Sequence, residues 1–292
     1  MANAQHHDAD VYFVPHHSKW PFVGSIALFV LMFGVINWFN GSDAAFWLFM
    51  AGIGLMAYTL FGWFGDVIRE SEAGRYNAQV DVSFRQGMIW FIFSEVMFFA
   101  AFFGALFFVR HFALPWISGD GQGALGNEFL WSGYVTGWPE NGPKDLGGDF
   151  GTLHPFGLPL INTIILLTSG LTITVAHHAM VAGQRAKVLA WLGATIALGF
   201  VFFGVQAYEY GHAWQDLNLK ISSGIYGATF YMLTGFHGLH VFLGTLMLLV
   251  VWFRVLKGHF TPQKHFGFEA VAWYWHFVDV VWLGLFLFVY VL

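Results

Sequence analysis

Seven stretches of the chain are apolar for about twenty residues, and the short runs between them carry most of the charge. They fall at residues 21–38, 44–65, 84–109, 156–179, 188–208, 225–253 and 270–292. A helix needs about twenty apolar residues to cross a hydrocarbon core about 30 Å thick. The pattern therefore predicts an all-α membrane protein of seven transmembrane helices, with residues 1–292 read as a single membrane domain. The first stretch is short, and the third and sixth are long enough to tilt. No internal repeat or inverted half-to-half symmetry of the transporter kind is visible. Residues 1–19 are polar and hold two histidine pairs, His6–His7 and His16–His17. No small-residue cleavage signature follows, which predicts a retained first span behind a solvated cytoplasmic tail. The other long polar stretch, residues 110–155, is rich in glycine yet carries Trp116, Trp131 and Trp138. An outer loop of that length with three indoles is expected to fold into a lobe.

Composition strengthens the membrane reading. The chain is 57% hydrophobic and 10% charged, whereas a water-soluble domain carries about 25% charged residues. Its mean hydropathy is +0.61. It has no cysteine, which excludes disulfides, thiolate-bound metals and iron–sulfur clusters. The formal charge of −5 is small and scattered, so a nucleic-acid partner is not indicated. The N-terminus and even loops hold nine basic residues, and the odd loops and C-terminus hold only Arg110, Lys144 and Lys220. The positive-inside rule then puts the N-terminus in the cytoplasm and the C-terminus in the periplasm. Eight acids, Asp43, Asp120, Glu128, Glu140, Asp145, Asp149, Glu209 and Asp216, fall on the outer side in that topology. They collect there because bases are excluded, or they steer a cationic partner.

Ionisable groups inside the apolar stretches mark functional or structural sites, since charge in hydrocarbon is expensive. Glu95 stands in the third stretch among Phe91, Phe98 and Phe102, with no basic residue within a helical turn. It reads either as a proton relay or as a neutral carboxyl hydrogen-bonded to another helix. His237 and His240 are one turn apart in the sixth stretch, beside Gly235 and Gly238. They read as helix–helix hydrogen bonds or as metal or haem ligands, the latter needing donors from a facing helix. His177 and His178 sit at the other end of their span and do not supply those donors. In the seventh stretch, His276 and Asp279 are spaced to pair. No nucleophile–base–oxyanion set and no phosphate-binding loop is present, so no catalytic residue is expected. Near the cytoplasmic helix ends, Trp63, Arg69 and Glu70 form one charged group, and Arg254, Lys257, His259 and Phe266 another. Both are expected to meet phospholipid head groups.

Longer motifs carry a family resemblance. Residues 265–269 (HFGFE) and 272–283 (AWYWHFVDVVWL) closely resemble subunit III of haem–copper cytochrome c oxidases. So do residues 91–99 (FIFSEVMFF) and 234–241 (TGFHGLHV). The resemblance runs in order through nearly the whole chain. It implies two helices leaning away from five, with ordered lipids in a V-shaped cleft. It also implies no haem and no copper here, both belonging to partner subunits I and II, with cytochrome c an indirect partner. The family role it implies is a non-redox subunit of the aerobic respiratory chain, in a bacterial or mitochondrial inner membrane. There it stabilises the catalytic subunit and supports proton uptake, and the family's intramembrane acid maps to Glu95. The chain departs from the family at residues 75–80 (RYNAQV) and at Gly104. Subunit III of a quinol oxidase is the nearest alternative, but such subunits often lack the first two helices. An independent proton-coupled carrier would require interrupted helices at mid-membrane, which are not seen.

Overall fold

The computed structural model describes residues 12–15, 17–145 and 147–292. His6, His7 and His16 lie outside the described residues, so the tail's histidine pairs are not described. Seven helices are long and apolar enough to span a membrane. We number them α1 (Trp20–Phe39), α2 (Ala45–Glu72), α3 (Ala78–Ile117), α4 (Leu158–Val181), α5 (Arg185–Gln215), α6 (Gly224–Lys257) and α7 (Phe266–Val291). Pro21 and Pro159 stand in the first turns of α1 and α4, where a missing N–H costs nothing. At the end of α6, Gly258 adopts φ 79°, a left-handed turn that closes the last carbonyls.

Several helices outrun their apolar stretches. α3 starts at Ala78 because its polar first turns are helical too, with Arg85 Nε donating to Asp81 Oδ2 at 2.8 Å. At its other end, a wide turn over Val109–Ala113 precedes Pro115, and the helix then continues to Ile117. Such a turn accommodates the ring and absent donor of a proline that would break a regular helix. Pro115 is thus inside a helix rather than in a loop, and the outer segment begins only at Ser118. Among its described residues that segment holds a 3₁₀ turn, Gly121–Gly123, and a short α-helix, Ala124–Leu130. α5 likewise runs seven residues past Tyr208, and this removes Glu209 from the outer acids: the residue is fully buried.

The chain divides into two compact units, residues 1–86 and 87–292. In the first, α1 and α2 pair by bringing backbones together. A Cβ on Gly34 would lie 2.6 Å from the Phe49 nitrogen, and one on Gly52 would lie 2.5 Å from Leu31 Cα. Small residues at such crossings permit the close packing that drives association in lipid, where burying apolar area brings little gain. The Trp20 ring covers Gly62, and its Nε1 donates to Asp66 at 2.5 Å.

The second unit is built differently. Helices α4 to α7 pack around Trp275, Trp282, Phe202, Phe230 and Leu248, all essentially without exposure. Both indoles carry a hydrogen bond across to α4: Trp275 Nε1 to Ser169 Oγ and Trp282 Nε1 to Thr163 Oγ1, each 2.9 Å. Thr172 and Thr195 join α4 to α5 at 2.8 Å. The α6 backbone lies against the Trp275 ring at Gly244, where a Cβ would come within 2.9 Å.

Candidate functional site

The polar residues singled out inside the spans do not form one cluster; they form a series of separate contacts between helices. Glu95, which has no ionisable neighbour on its own helix, finds one on α6. His240 Nε2 lies 2.9 Å from Glu95 Oε2, and His240 Nδ1 lies 2.7 Å from the Phe236 carbonyl. A carbonyl only accepts, so Nδ1 carries a proton. In a neutral ring Nε2 is then an acceptor facing a carboxyl oxygen. The contact closes only with one further proton, held either as a carboxylic acid donating to imidazole or as imidazolium donating to carboxylate. Both arrangements are net neutral, which is why the pair tolerates the interior. Phe98 and Phe99 flank the ring at centroid distances of 5.9 and 4.9 Å. Sequence could not find this partner, because 145 residues separate the two.

His237, one turn away, has another task. Its Nε2 lies 3.2 Å from the Val278 carbonyl, and its ring packs against Phe202 and Trp282. It ties α6 to α7, so the two histidines of α6 serve different neighbours and share no donor set. His276 Nδ1 and Asp279 Oδ2 stand 3.6 Å apart, the spacing of an ion pair rather than a hydrogen bond. His276 Nε2 reaches Thr174 Oγ1 at 3.3 Å. Asp279 is buried against Gly170 of α4, which has no room for a side chain. A further buried carboxyl, counted in the sequence among the outer acids because it lay at a stretch's edge, is Glu209. It accepts the Tyr290 hydroxyl at 2.6 Å.

One group of side chains has the composition of a metal site. His177, His265 and Glu269 each offer a donor atom, and the three atoms lie within 4.8 Å of one another. His265 Nδ1 is 3.1 Å from the Thr261 carbonyl, which orients the ring and leaves Nε2 3.1 Å from Glu269 Oε1. A backbone acceptor behind a histidine is the usual support for a metal ligand. The same geometry is equally satisfied by a proton. In the sequence His177 is weighed only as a companion of the α6 histidines; here its companions come from the start of α7.

The two charged groups at helix ends both already hold contacts within their own unit. Trp63 is exposed. Arg69 is bridged to Asp66, and Glu70 Oε2 accepts the Tyr76 hydroxyl at 2.8 Å. Burial, and then the Glu70 carboxylate, hold the Tyr76 hydroxyl above the ordinary phenol range. In the second unit the Arg254 guanidinium lies 4.3 Å over the Phe260 ring. Lys257 is exposed at the end of α6, His259 is half-buried, and Phe266 packs edge-on against Trp273.

Seven helices long and apolar enough to span a membrane, joined by histidine–carboxylate and indole–hydroxyl bonds, define a polytopic membrane protein. Comparison gives the family. Residues 10–117 and 138–292 match the family model of cytochrome c oxidase subunit III, and the chain belongs to that family. It is 41% identical over 285 residues to the cytochrome c oxidase subunit 3 of the antelopes Tragelaphus oryx and Nanger granti and of the buffalo Syncerus caffer. These alignments cover 97% of this chain and 98% of each relative.

Proposed function

We propose that the chain is the non-redox third subunit of a terminal cytochrome c oxidase, stabilising the catalytic subunit, holding structural phospholipid and supporting proton uptake during oxygen reduction. What carries this reading is a match that runs in order through both ends of the chain. Haem and copper would reside in subunits I and II, and cytochrome c would deliver electrons there without touching this chain's interior. We assign residues 1–292 to one membrane domain of a bacterial or mitochondrial inner membrane, with the N-terminus on the cytoplasmic or equivalent side, on the asymmetry of basic residues. Purification in mild detergent tests the assignment. Recovery with haem-bearing partners in fixed ratio is expected, and recovery of the chain alone and colourless would overturn it.

Within that role, Glu95 and His240 hold a proton between α3 and α6 without being an obligate step of pumping. Glu95→Gln keeps a polar group against His240 while removing the carboxyl's titration. Assembly and initial oxygen consumption should persist. Glu95→Ala strands the imidazole and should cost about 1–3 kcal/mol of stability. If Glu95→Gln abolished proton pumping in reconstituted vesicles while assembly stayed normal, the pair would be a relay instead. The lipid role is assigned to the two charged groups, Trp63, Arg69 and Glu70 in one unit and Arg254, Lys257, His259 and Phe266 in the other.

A further inference from the structure

The family match breaks after residue 117 and resumes at 138. The intervening residues 118–137 are therefore extra to what the family shares. They are nonetheless firmly built. The Asn127 side-chain nitrogen lies 3.1, 3.3 and 3.2 Å from the carbonyls of Ile117, Trp131 and Tyr134, gathering the segment around one amide. Gly123 abuts the Trp116 carbonyl, leaving no room for a Cβ. At the far end, Tyr134 and Thr136 donate to Glu140 at 2.6 and 2.8 Å, fastening the insertion to the shared part of the chain.

A segment held this well should turn its apolar side chains inward, and this one does not. Leu125, Phe129, Leu130 and Val135 are 68, 76, 72 and 82% exposed. Lipid is a poor explanation. α3 is 40 residues long, or about 60 Å at 1.5 Å per residue, against a hydrocarbon core of about 30 Å. Its end, where the insertion begins, therefore stands among or beyond the head groups. Charge points the same way. The insertion contains Asp120 and Glu128 and no lysine or arginine. Both acids are exposed, and neither has a side-chain partner among the described residues. Among the described residues none of the three bases of this side pairs with either acid: Arg110, Lys144 and Lys220 lie instead over Trp138, Trp131 and Trp214 at 5.5, 5.6 and 5.6 Å. What remains is an apolar knob with unneutralised acids, a surface that repels anionic head groups and complements a basic one.

We propose that residues 118–137 are a docking lobe for a protein whose contact surface is an apolar patch rimmed by lysine and arginine, either a further subunit or a separate protein on that side of the membrane. A photoreactive phenylalanine analogue at position 129, irradiated in native membranes before the intact complex is purified, tests this. The same analogue at Phe22, 73% exposed on α1, reports what lipid labelling looks like. The expected result is a protein adduct at 129 whose cross-linked peptide lies beside basic residues. Its yield should fall roughly tenfold or more with Glu128→Lys, which sets like charge against the partner's basic rim. It should fall also in about 1 M salt, where screening acts within about 3 Å. Haem content and oxygen consumption should be unchanged in that variant, since Glu128 is exposed and its side chain forms no hydrogen bond or ion pair among the described residues. Labelling of phospholipid at 129, no adduct, or an adduct indifferent to both charge reversal and salt would each overturn the proposal.

Discussion

The α1–α2 hairpin and the α4–α7 bundle solve the same problem by opposite means. The hairpin works through missing side chains, with Gly34 and Gly52 set against the facing backbone. The bundle works through large ones, with Trp275 and Trp282 bonded to residues 106 and 119 positions away. Neither can rely on burying apolar area, because lipid is as apolar as leucine. The contrast shows in burial. Of the most apolar windows, 11 and 17% is buried in α1 and α2, against 33–50% in α4 to α7. A pair of helices has only one contact face each, so its packing must be close; a four-helix core has an interior in which polar bonds can be shielded from competition.

The largest effect should come from the hairpin's glycines. Gly52→Leu should separate α1 from α2 at about 3 kcal/mol or more, the upper end of overpacking costs, because its Cβ meets backbone that cannot rotate away. Gly54 has nothing within 4 Å of its added Cβ, so Gly54→Leu should be tolerated. The chain has no cysteine, so one engineered cysteine in each helix reads the separation as lost disulfide yield. Equal yields from the two variants would remove the basis of the comparison.

Next in size is the bundle's polar interior. Tyr290→Phe leaves the buried Glu209 carboxyl without its donor and should cost about 1–3 kcal/mol, seen as earlier melting of the complex in detergent. Adding Glu209→Leu should recover much of that loss, since it removes the stranded polar group. Failure of the second change to help would mean that the tyrosine acts by packing.

Lipid retention should separate the two charged groups more finely. Arg254→Ala with Lys257→Ala removes two charges that attract head groups at about 1 kcal/mol each, and phospholipid counted by mass spectrometry should fall. Arg69→Ala should lower it less, because it removes one charge rather than two. A larger loss from Arg69 would reverse the assignment. The smallest effect concerns Tyr76. Its hydroxyl is raised in the folded chain above the ordinary value of 10.0. The associated stability is therefore complete below about pH 10 and is lost as pH climbs through the folded value. Tyr76→Phe should therefore lower the melting temperature slightly at neutral pH, where the Glu70 contact is intact, and remove the further loss seen above about pH 10; equal melting of the two chains at neutral pH would exclude the Glu70 contact as a source of stability.

Number and order of the spans were legible because hydrocarbon thickness imposes a minimum apolar length, and each stretch met it. Ends were less legible. Asp81 and Arg85 are charged yet helical, since each neutralises the other across one turn, and Pro115 is helical because a wide turn precedes it. The intramembrane groups could be named but not matched. Glu95 looked alone on its own helix, and His240 looked like half of a pair with His237. Which face of α6 meets α3 is decided by packing, and local sequence does not encode it. Glu209 was misjudged for a related reason: the apolar run stops at Tyr208, but the helix, and its cover by Tyr290, does not.

The bond between Glu95 and His240 also has a history in time. α3 leaves the ribosome while α6 is still unmade, with 145 residues between the two side chains. At about 5–20 residues per second, the carboxyl waits roughly seven to thirty seconds before its imidazole exists. Throughout that interval α3 must cross, or wait beside, the insertion machinery with an unmatched acid at mid-helix. The order of synthesis thus puts the carboxyl in place first and the imidazole contact afterwards. A chain truncated before α6 would leave the bilayer holding an unmatched polar group, and a quality-control protease would have a reason to find it.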